Sequence, residues 1–311
     1  MLDWLDSSET VAVKTSGSTG APKHIHLKKQ QMFHSARATG HFFGLEAGAT
    51  ALHCLPSQFI AGKMMWVRAM VLGLEIDYVA PSTKPEIVKP YDFAAMIPLQ
   101  LENSLPKIDL INTVIIGGAP MSMTLKRNIQ KHKTHIFETY GMTETITHIA
   151  AKKVNPSANG IENVFKTLPH VSISKDSRSC LVIDAPTITD TQITTNDIVE
   201  LLSETEFVWK GRYDNVINSG GLKLVPEEIE QKLSACIPSS FFVAGLPDET
   251  LGERLVLFIE GEVDILLLKE KFDKIATLDK FQKPKEIICL PSFIRTSNGK
   301  IQRTKTLETI K

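Results

Sequence analysis

The stretch Thr15–Lys23, Thr-Ser-Gly-Ser-Thr-Gly-Ala-Pro-Lys, constrains the fold more than any other part of the chain. It sets hydroxyls, glycines and a closing lysine between the apolar run Val11–Val13 and a helix predicted from about Lys28. A Gly- and hydroxyl-rich turn leading into a helix offers backbone N–H groups, hydroxyls and a positive charge to a polyphosphate. The common P-loop ends Gly-Lys-Ser/Thr; here Ala21 and Pro22 separate Gly20 from Lys23. A surface turn has no need of such a string. Phosphate binding by Thr15, Ser16, Gly17, Ser18, Thr19, Gly20 and Lys23 is therefore the expectation.

The chain has 311 residues, enough for about two domains with a large core. Its 35 basic and 35 acidic residues cancel, so bulk electrostatics suggest neither a nucleic-acid nor a membrane partner. The first residues, Met-Leu-Asp-Trp-Leu-Asp, are acidic and lack the pattern of a secretory leader. No apolar run is long enough to span a bilayer. Cys54, Cys180, Cys236 and Cys289 are far apart and read as reduced core residues of a cytoplasmic protein.

Periodicity predicts alternating strands and helices in the first half, an α/β pattern. Ala49–Leu55 reads as a buried strand and Gln58–Leu72 as a helix, which carries Phe59, Lys63 and Arg68 among Met64, Met65, Trp66 and Met70. The two cations either snorkel to solvent or, for Arg68 above all, face an anion. Ile111–Ile116 is a β-branched strand leading into Gly117-Gly118-Ala119-Pro120 and a helix. His135–Phe137 is a similar strand, followed by the polar stretch Glu138-Thr-Tyr-Gly-Met-Thr-Glu-Thr145. From Val164 to Ala185 short alternating runs predict antiparallel strands in a small β-subdomain. The remainder, from about residue 214, reads as a second, smaller α+β domain.

In order along the chain, these stretches resemble the motifs of the adenylate-forming superfamily, which includes acyl- and aryl-CoA synthetases, peptide-synthetase adenylation domains and luciferases. The resemblance rests on Thr15–Lys23, Gly117–Pro120, Glu138–Thr145, Thr194–Val199, Phe207–Arg212, Asn218–Glu230 and Arg295–Arg303. It implies an α/β fold: a large AMP-binding domain over residues 1–213, with the β-subdomain at about 164–213, and a mobile C-terminal α+β domain over 214–311. It also implies roles. Gly118, Ala119, Pro120, Tyr140, Gly141 and Met142 would line the adenine site. Thr143 would meet the α-phosphate and Glu144 would hold Mg²⁺. Asp197 and Arg212 would contact ribose or phosphate. Asp214 would be the hinge. Ser219, Gly220 and Gly221 would let the pantetheine arm of CoA pass, although a hairpin turn accounts for the glycines equally well. Lys300 would be the mobile lysine of the adenylation step.

Two departures stand out. Gln58-Phe59 replaces the aromatic-His pair of the family's acyl pocket, and Asn196 replaces the Gly of its Thr-Gly-Asp segment. Only fourteen residues precede the phosphate loop, where members usually have about a domain's worth. The expectation is an abbreviated N-terminal subdomain or a truncated chain, with an exposed apolar edge or a homodimer contact where the missing part would sit. Within the family the chain looks most like the short o-succinylbenzoate–CoA ligases of menaquinone biosynthesis, through Ile60-Ala-Gly62 and on to Arg68. Their arginine at that place faces a second carboxylate. The implied reaction takes a small carboxylic acid and ATP to an acyl-adenylate, then to a CoA thioester. Another aryl- or acyl-CoA ligase, a module that loads a carrier protein, and a nucleotide-binding protein without turnover stay open on these residues.

Overall fold

The computed structural model describes residues 2–14, 24–155, 163–296 and 299–310. The chain forms two compact units. The first comprises Met1–Ser174, Val182–Thr194 and Leu201–Val208; the second comprises Lys175–Leu181, Thr195–Glu200 and Trp209–Lys311.

The first unit opens with a short helix α1 (Leu2–Leu5) and a hairpin of β1 (Thr10–Lys14) and β2 (His24–Lys28), in which Val11 faces Leu27 and Val13 faces Ile25. Then follow α2 (Lys29–Phe43), β3 (Thr50–His53), α3 (Ile60–Leu72), β4 (Glu75–Tyr78), β5 (Tyr91–Met96), α4 (Pro98–Ser104), β6 (Ile111–Ile116), α5 (Met123–Asn128), β7 (His135–Gly141) and β8 (His148–Lys153). After these come β9 (Phe165–Thr167), and then β10 (Ser172–Lys175), β11 (Cys180–Asp184), β12 (Ile193–Leu201) and β13 (Glu206–Arg212), whose residues are divided between the two units. Strands β4, β3, β5, β6 and β7 lie side by side in that order, all parallel. β8 reverses direction against β7, and β9 and β13 follow antiparallel. The strands expected to form a separate β-subdomain thus begin as a continuation of the main sheet.

Alternation sorts the parallel strands into two cores. Leu52, Ala94, Met96, Val114, Ile116 and Ile136 pack on one face with Leu101 of α4 and Leu125 of α5. Ala51, Phe93, Ala95 and Ile115 pack on the other with Met65 and Ala69 of α3. Helices therefore cover both faces, as burial of parallel strands requires. The crossover through α3 carries the chain from β3 outward to β4, and β5 returns to the other side of β3. A strand order that reverses in this way leaves a crevice at the carboxyl ends of the strands. The outer strand β4 carries the charged residues Glu75 and Asp77. Asp77 pairs with Lys89 at 2.8 Å and accepts a hydrogen bond from the Tyr91 hydroxyl at 3.0 Å. Such charge discourages edge pairing.

In the second unit β14 (Ile217–Ser219) and β15 (Leu222–Leu224) form a hairpin, followed by α6 (Pro226–Leu233), β16 (Phe241–Asp248), β17 (Gly252–Glu260), α7 (Ile265–Asp273), β18 (Glu286–Leu290) and α8 (Arg303–Glu308). β17 lies between β16 and a parallel β18. Ile229, Leu233, Val243, Leu257 and Phe272 fill one face. Phe242, Val256, Phe258 and Phe293 fill the other.

Glu230 of α6 ties these elements together. It accepts from the Val243 N–H at 2.7 Å and pairs with Arg303 of α8 at 2.8 Å. Burial pushes its carboxyl from 4.5 up to about 7, against the Arg303 charge. A carboxyl with a raised folded pKa holds its proton more tightly in the folded state. Its stabilising contribution is present at low pH and is lost as pH rises through 7. Glu230→Gln removes that titration. Urea unfolding at about pH 5 and about pH 8 should show the wild type losing more stability than the variant, by up to roughly 3 kcal/mol. An equal loss in both would remove Glu230 as the cause.

Candidate active site

The carboxyl ends of β5, β6 and β7 lie together, and most of the described candidates in the first unit stand there. The Gly117 N–H donates to the Met96 carbonyl at 3.2 Å, and the Thr139 hydroxyl donates to the Ile116 carbonyl at 2.9 Å. Gly118 is left-handed, at φ 84°, so the turn Gly118-Ala119-Pro120 leaves β6 without a side chain at its first bend. On β7, Tyr140 is half-buried, its ring edge-on to Phe165 (5.9 Å) and Phe207 (5.3 Å). The Lys152 ammonium lies 4.4 Å over the Phe165 ring and pairs with Glu138 at 3.0 Å. Burial works against the Glu138 charge, but Lys152 and Lys126 outweigh it and hold the carboxyl below its ordinary pKa.

β7 ends at Gly141, and the chain turns back into β8 through Met142–Thr147. A Cβ on Gly141 would run into the Thr147 carbonyl, so the close return demands glycine. The Thr145 hydroxyl accepts from the Met142 N–H at 3.0 Å and lies 2.7 Å from the Thr147 carbonyl, to which it donates. Ile146 sits at φ 64°, ψ −65°. For a β-branched residue that conformation costs on the order of 1–3 kcal/mol. The strain and the bonds around Thr145 together fix the single helical turn Thr143–Thr145. Thr143 is half-buried on it and Glu144 is exposed. One exposed carboxylate suits a Mg²⁺ that arrives on nucleotide phosphates, because Mg²⁺ needs only one or two protein carboxylates besides phosphate and water. Among the described residues no cluster of three or more acids, histidines or cysteines could hold an ion by itself.

Arg68 is 2% exposed, the largest of the fully buried side chains. Its Nη2 donates to the Thr147 hydroxyl at 3.2 Å and its Nε points to the Thr39 hydroxyl at 3.4 Å. Among the described residues no carboxylate pairs with it. Burial draws its pKa down to about 10, so it stays cationic at neutral pH. His148, whose Nε2 lies 3.5 Å from the Thr39 hydroxyl, is held well below the usual imidazole value by burial and then by the Arg68 charge. Among the described residues, neutral hydroxyls and a neutral imidazole thus surround the Arg68 cation.

Lys63 does not join Arg68. Five residues along a helix turn it about 140° away, and its ammonium pairs with Asp3 at 2.9 Å. Phe59 is half-buried at the N-cap of α3. The Thr15–Lys23 string lies outside the described residues. Its flanks are described: the string joins β1 to β2, with Lys14 opposite His24, so a strand intervenes before the helix, which starts at Lys29 as expected to within a residue. A Ser–His contact that the sequence did not suggest joins His53 Nε2 to Ser57 Oγ at 3.1 Å. Trp66 Nε1 donates to the same hydroxyl at 3.0 Å, and burial lowers the His53 pKa to about 4. It is a buried packing contact.

The other candidates lie in the second unit. Asp197 is buried, and its Oδ1 accepts from Trp209 Nε1 at 3.0 Å. Arg212 faces Asp197 at 3.7 Å and pairs with Asp214 at 2.9 Å. Lys300 follows left-handed Gly299, and its N–H donates to the Thr296 hydroxyl at 3.1 Å. Partial burial and then the Arg212 charge lower the Lys300 pKa, with Asp197 pulling the other way. Lys300, Asp197 and Arg212 thus form one electrostatic group. Ser219-Gly220-Gly221-Leu222 is the turn of the β14–β15 hairpin, with φ 57° and 81° at the two glycines. Two consecutive positive φ angles define a type I′ turn, which glycine satisfies without strain. Sequence reasoning missed Trp209, Arg178, Thr39, Thr147 and His148. Each acts through a partner remote in sequence, and the strand alternation around Trp209 is the one local signal.

Gly141→Ala should lower stability by about 1–3 kcal/mol, because the backbone must shift to admit the methyl group. Glu144→Gln, on an exposed side chain, should change it by no more than about 0.5 kcal/mol. Thermal melts of both variants check the pair. Equal losses would contradict the loop geometry.

Comparison with known proteins places this arrangement. The AMP-binding enzyme family model matches residues 10–175. A 2-succinylbenzoate–CoA ligase of Listeria monocytogenes is 25% identical, over 99% of this chain and 72% of its own length. The corresponding ligase of Staphylococcus aureus is 24% identical, over 94% and 65%. Among solved structures, an acyl-CoA synthetase (AMP-forming)/AMP-acid ligase II-like protein of Dyadobacter fermentans is 34% identical, covers 99% of this chain and 91% of its own, and superposes with a TM-score of 0.66. The O-succinylbenzoate–CoA synthetase of Bacillus subtilis, solved with ATP and a magnesium ion, shares the fold at a TM-score of 0.76 and 20% identity, over 95% of this chain and 69% of its own. The matched family model spans the β1–β2 hairpin, the parallel strands β3 to β7 and the Tyr140–Thr147 loop, and the chain belongs to the AMP-binding enzyme family.

Proposed function

We propose that this chain is an acid–thiol ligase that activates 2-succinylbenzoate with ATP and passes the acyl group to CoA. The observation that carries the substrate reading is the buried Arg68 guanidinium, which has hydroxyls about it and no acidic partner among the described residues. A dicarboxylate can offer one carboxylate to Arg68 and keep the other for reaction. A guanidinium is suited to hold the first in two parallel hydrogen bonds. The relatives named as 2-succinylbenzoate–CoA ligases support the same acid.

The reaction has two balanced halves. In the first, a carboxylate oxygen of the acid attacks the α-phosphorus of ATP, and the bond to the bridging oxygen breaks; acyl-adenylate and pyrophosphate result. Both reactants are anions, so the protein's task is to align them and neutralise charge. Lys300 would supply positive charge at the reacting oxygens, and Thr143 a hydroxyl to the α-phosphate. Glu144 would hold the Mg²⁺ that accompanies ATP, which lowers the charge on the phosphates. Gly118–Pro120 and Tyr140–Met142 would seat adenine. Asp197 would accept hydrogen bonds from the ribose hydroxyls while Arg212 holds a neighbouring oxygen. Thr15–Lys23 would bind the departing phosphates. In the second half, the CoA sulfur attacks the acyl carbon and AMP leaves with the bonding pair; the thiol proton passes to solvent. The Ser219–Gly221 turn would border the thiol path, and rotation about Asp214 would exchange Lys300 for that turn.

Lys300→Ala should reduce adenylate formation at least about 100-fold and leave thioester formation from supplied acyl-adenylate within a few-fold. Single-turnover assays of each half-reaction check this, and equal loss in both would contradict the division of labour. Arg68→Lys, which keeps the charge but not the planar fork, should raise the KM for 2-succinylbenzoate roughly tenfold with the ATP KM little changed. Unaltered kinetics for the acid would remove Arg68 from its recognition.

A further inference from the structure

Between β13 and β14 the second unit makes one short helical turn, Tyr213–Asn215. It is held from outside by residues far away in sequence. Asn196 Nδ2 donates to both carboxylate oxygens of Asp214, at 3.2 and 3.3 Å. Arg212 Nη2 reaches the same carboxylate at 2.9 Å. The Asn196 side chain is itself fixed, because its Oδ1 accepts from Arg178 Nη1 at 2.9 Å. Arg178 in turn donates to the Thr195 carbonyl at 3.1 Å and is anchored by Asp176 at 2.8 Å. Its guanidinium also lies 5.1 Å over the Tyr213 ring. Arg178 and Asn196 therefore grip two adjacent residues of one turn, Tyr213 by its ring and Asp214 by its carboxylate. The residue after Asn196 is Asp197, which faces Arg212 and lies in the electrostatic group of Lys300.

We infer that Asn196, braced by Arg178, is a positioning residue that latches the Asp214 turn and thereby fixes Arg212 beside Asp197. A glycine at position 196, as in the Thr-Gly-Asp segment that this stretch resembles, has no side chain with which to make the latch. The contacts of Arg178 with Asp176, and of Asn196 with Asp214, are exposed. Each such contact is weak by itself, because water competes for the same groups. The latch is thus strong enough to favour one arrangement of the turn and weak enough to open during turnover. It concerns the same chain segment as the rotation about Asp214, and its kinetic reading rests on the proposed function; its structural reading does not.

Hydrogen exchange of the Tyr213–Val216 amides tests the latch directly, in the full chain without substrate. Asn196→Ala and Arg178→Ala should each speed exchange there about three- to tenfold, with β16 and β17 unchanged. Exchange at 213–216 unaltered in both variants would overturn the inference. A second readout separates positioning from general loosening. Asn196→Ala should slow adenylate formation two- to fivefold, by roughly one hydrogen bond's worth, while thioester formation from supplied acyl-adenylate is not slowed. Parallel slowing of both half-reactions would mean a merely structural role. If the wild type forms no adenylate, the proposed function fails, and the exchange measurement still decides the latch.

Discussion

Strands β3, β5, β6 and β7 bury apolar side chains on both faces, and that one constraint determines where chemistry can sit. A strand covered by helices on both sides has no polar face to offer a ligand. Polar groups are confined to the strand ends, and in a parallel sheet the loops at one end gather together. Gly117–Pro120 and Tyr140–Thr147 are two such loops, tied to each other by the Thr139–Ile116 hydrogen bond. The Tyr140–Thr147 loop gains further definition where β8 reverses against β7. The return is so close that Gly141 has no room for a side chain and Ile146 is driven to a positive φ. Strain of this kind persists only where surrounding contacts over-determine it. Here the Thr145 hydroxyl and the Arg68–Thr147 contact do so.

Arg68 links that loop to the interior. Its side chain crosses from α3 to Thr39 of α2 and to Thr147 at the loop's end. Removing a guanidinium from water without a counter-ion is unfavourable by several kcal/mol. The hydroxyls offset part of this cost, and the neutral His148 avoids adding to it. An anion delivered by a substrate would offset more. Under the proposed function, stability and substrate choice would be coupled at this residue, because a second carboxylate on the acid would offset the charge that burial leaves on Arg68.

Much of this was legible in the sequence where a signal is local. Ile111–Ile116 reads as a strand because β-branched residues dominate it up to paired glycines. The end of β7 does not, because Glu138 and Thr139 look like loop residues until Lys152 and the Ile116 carbonyl satisfy them. β2 alternates His24, Ile25, His26 and Leu27, a period of two that the helix beginning at Lys29 masked. Motif order carried the candidate residues, since each family-like stretch keeps its own local chemistry. Lys63 and Arg68 are alike in sequence and part company only through helix geometry. The Arg178–Asn196–Asp214 contacts have no local signature at all. They exist because separate chain segments converge on one turn.

The central claim is that the chain makes an acyl-adenylate from an acid with two carboxylates. Acid-dependent exchange of radiolabelled pyrophosphate into ATP, measured without CoA, tests it most directly. The account predicts rapid exchange with 2-succinylbenzoate and exchange lower by at least about tenfold with an analogue bearing a single carboxylate, because the Arg68 charge is then left unmatched. Equal exchange with both acids would contradict the role of Arg68. No exchange with either acid, from folded protein that still binds ATP, would contradict adenylate formation from this substrate.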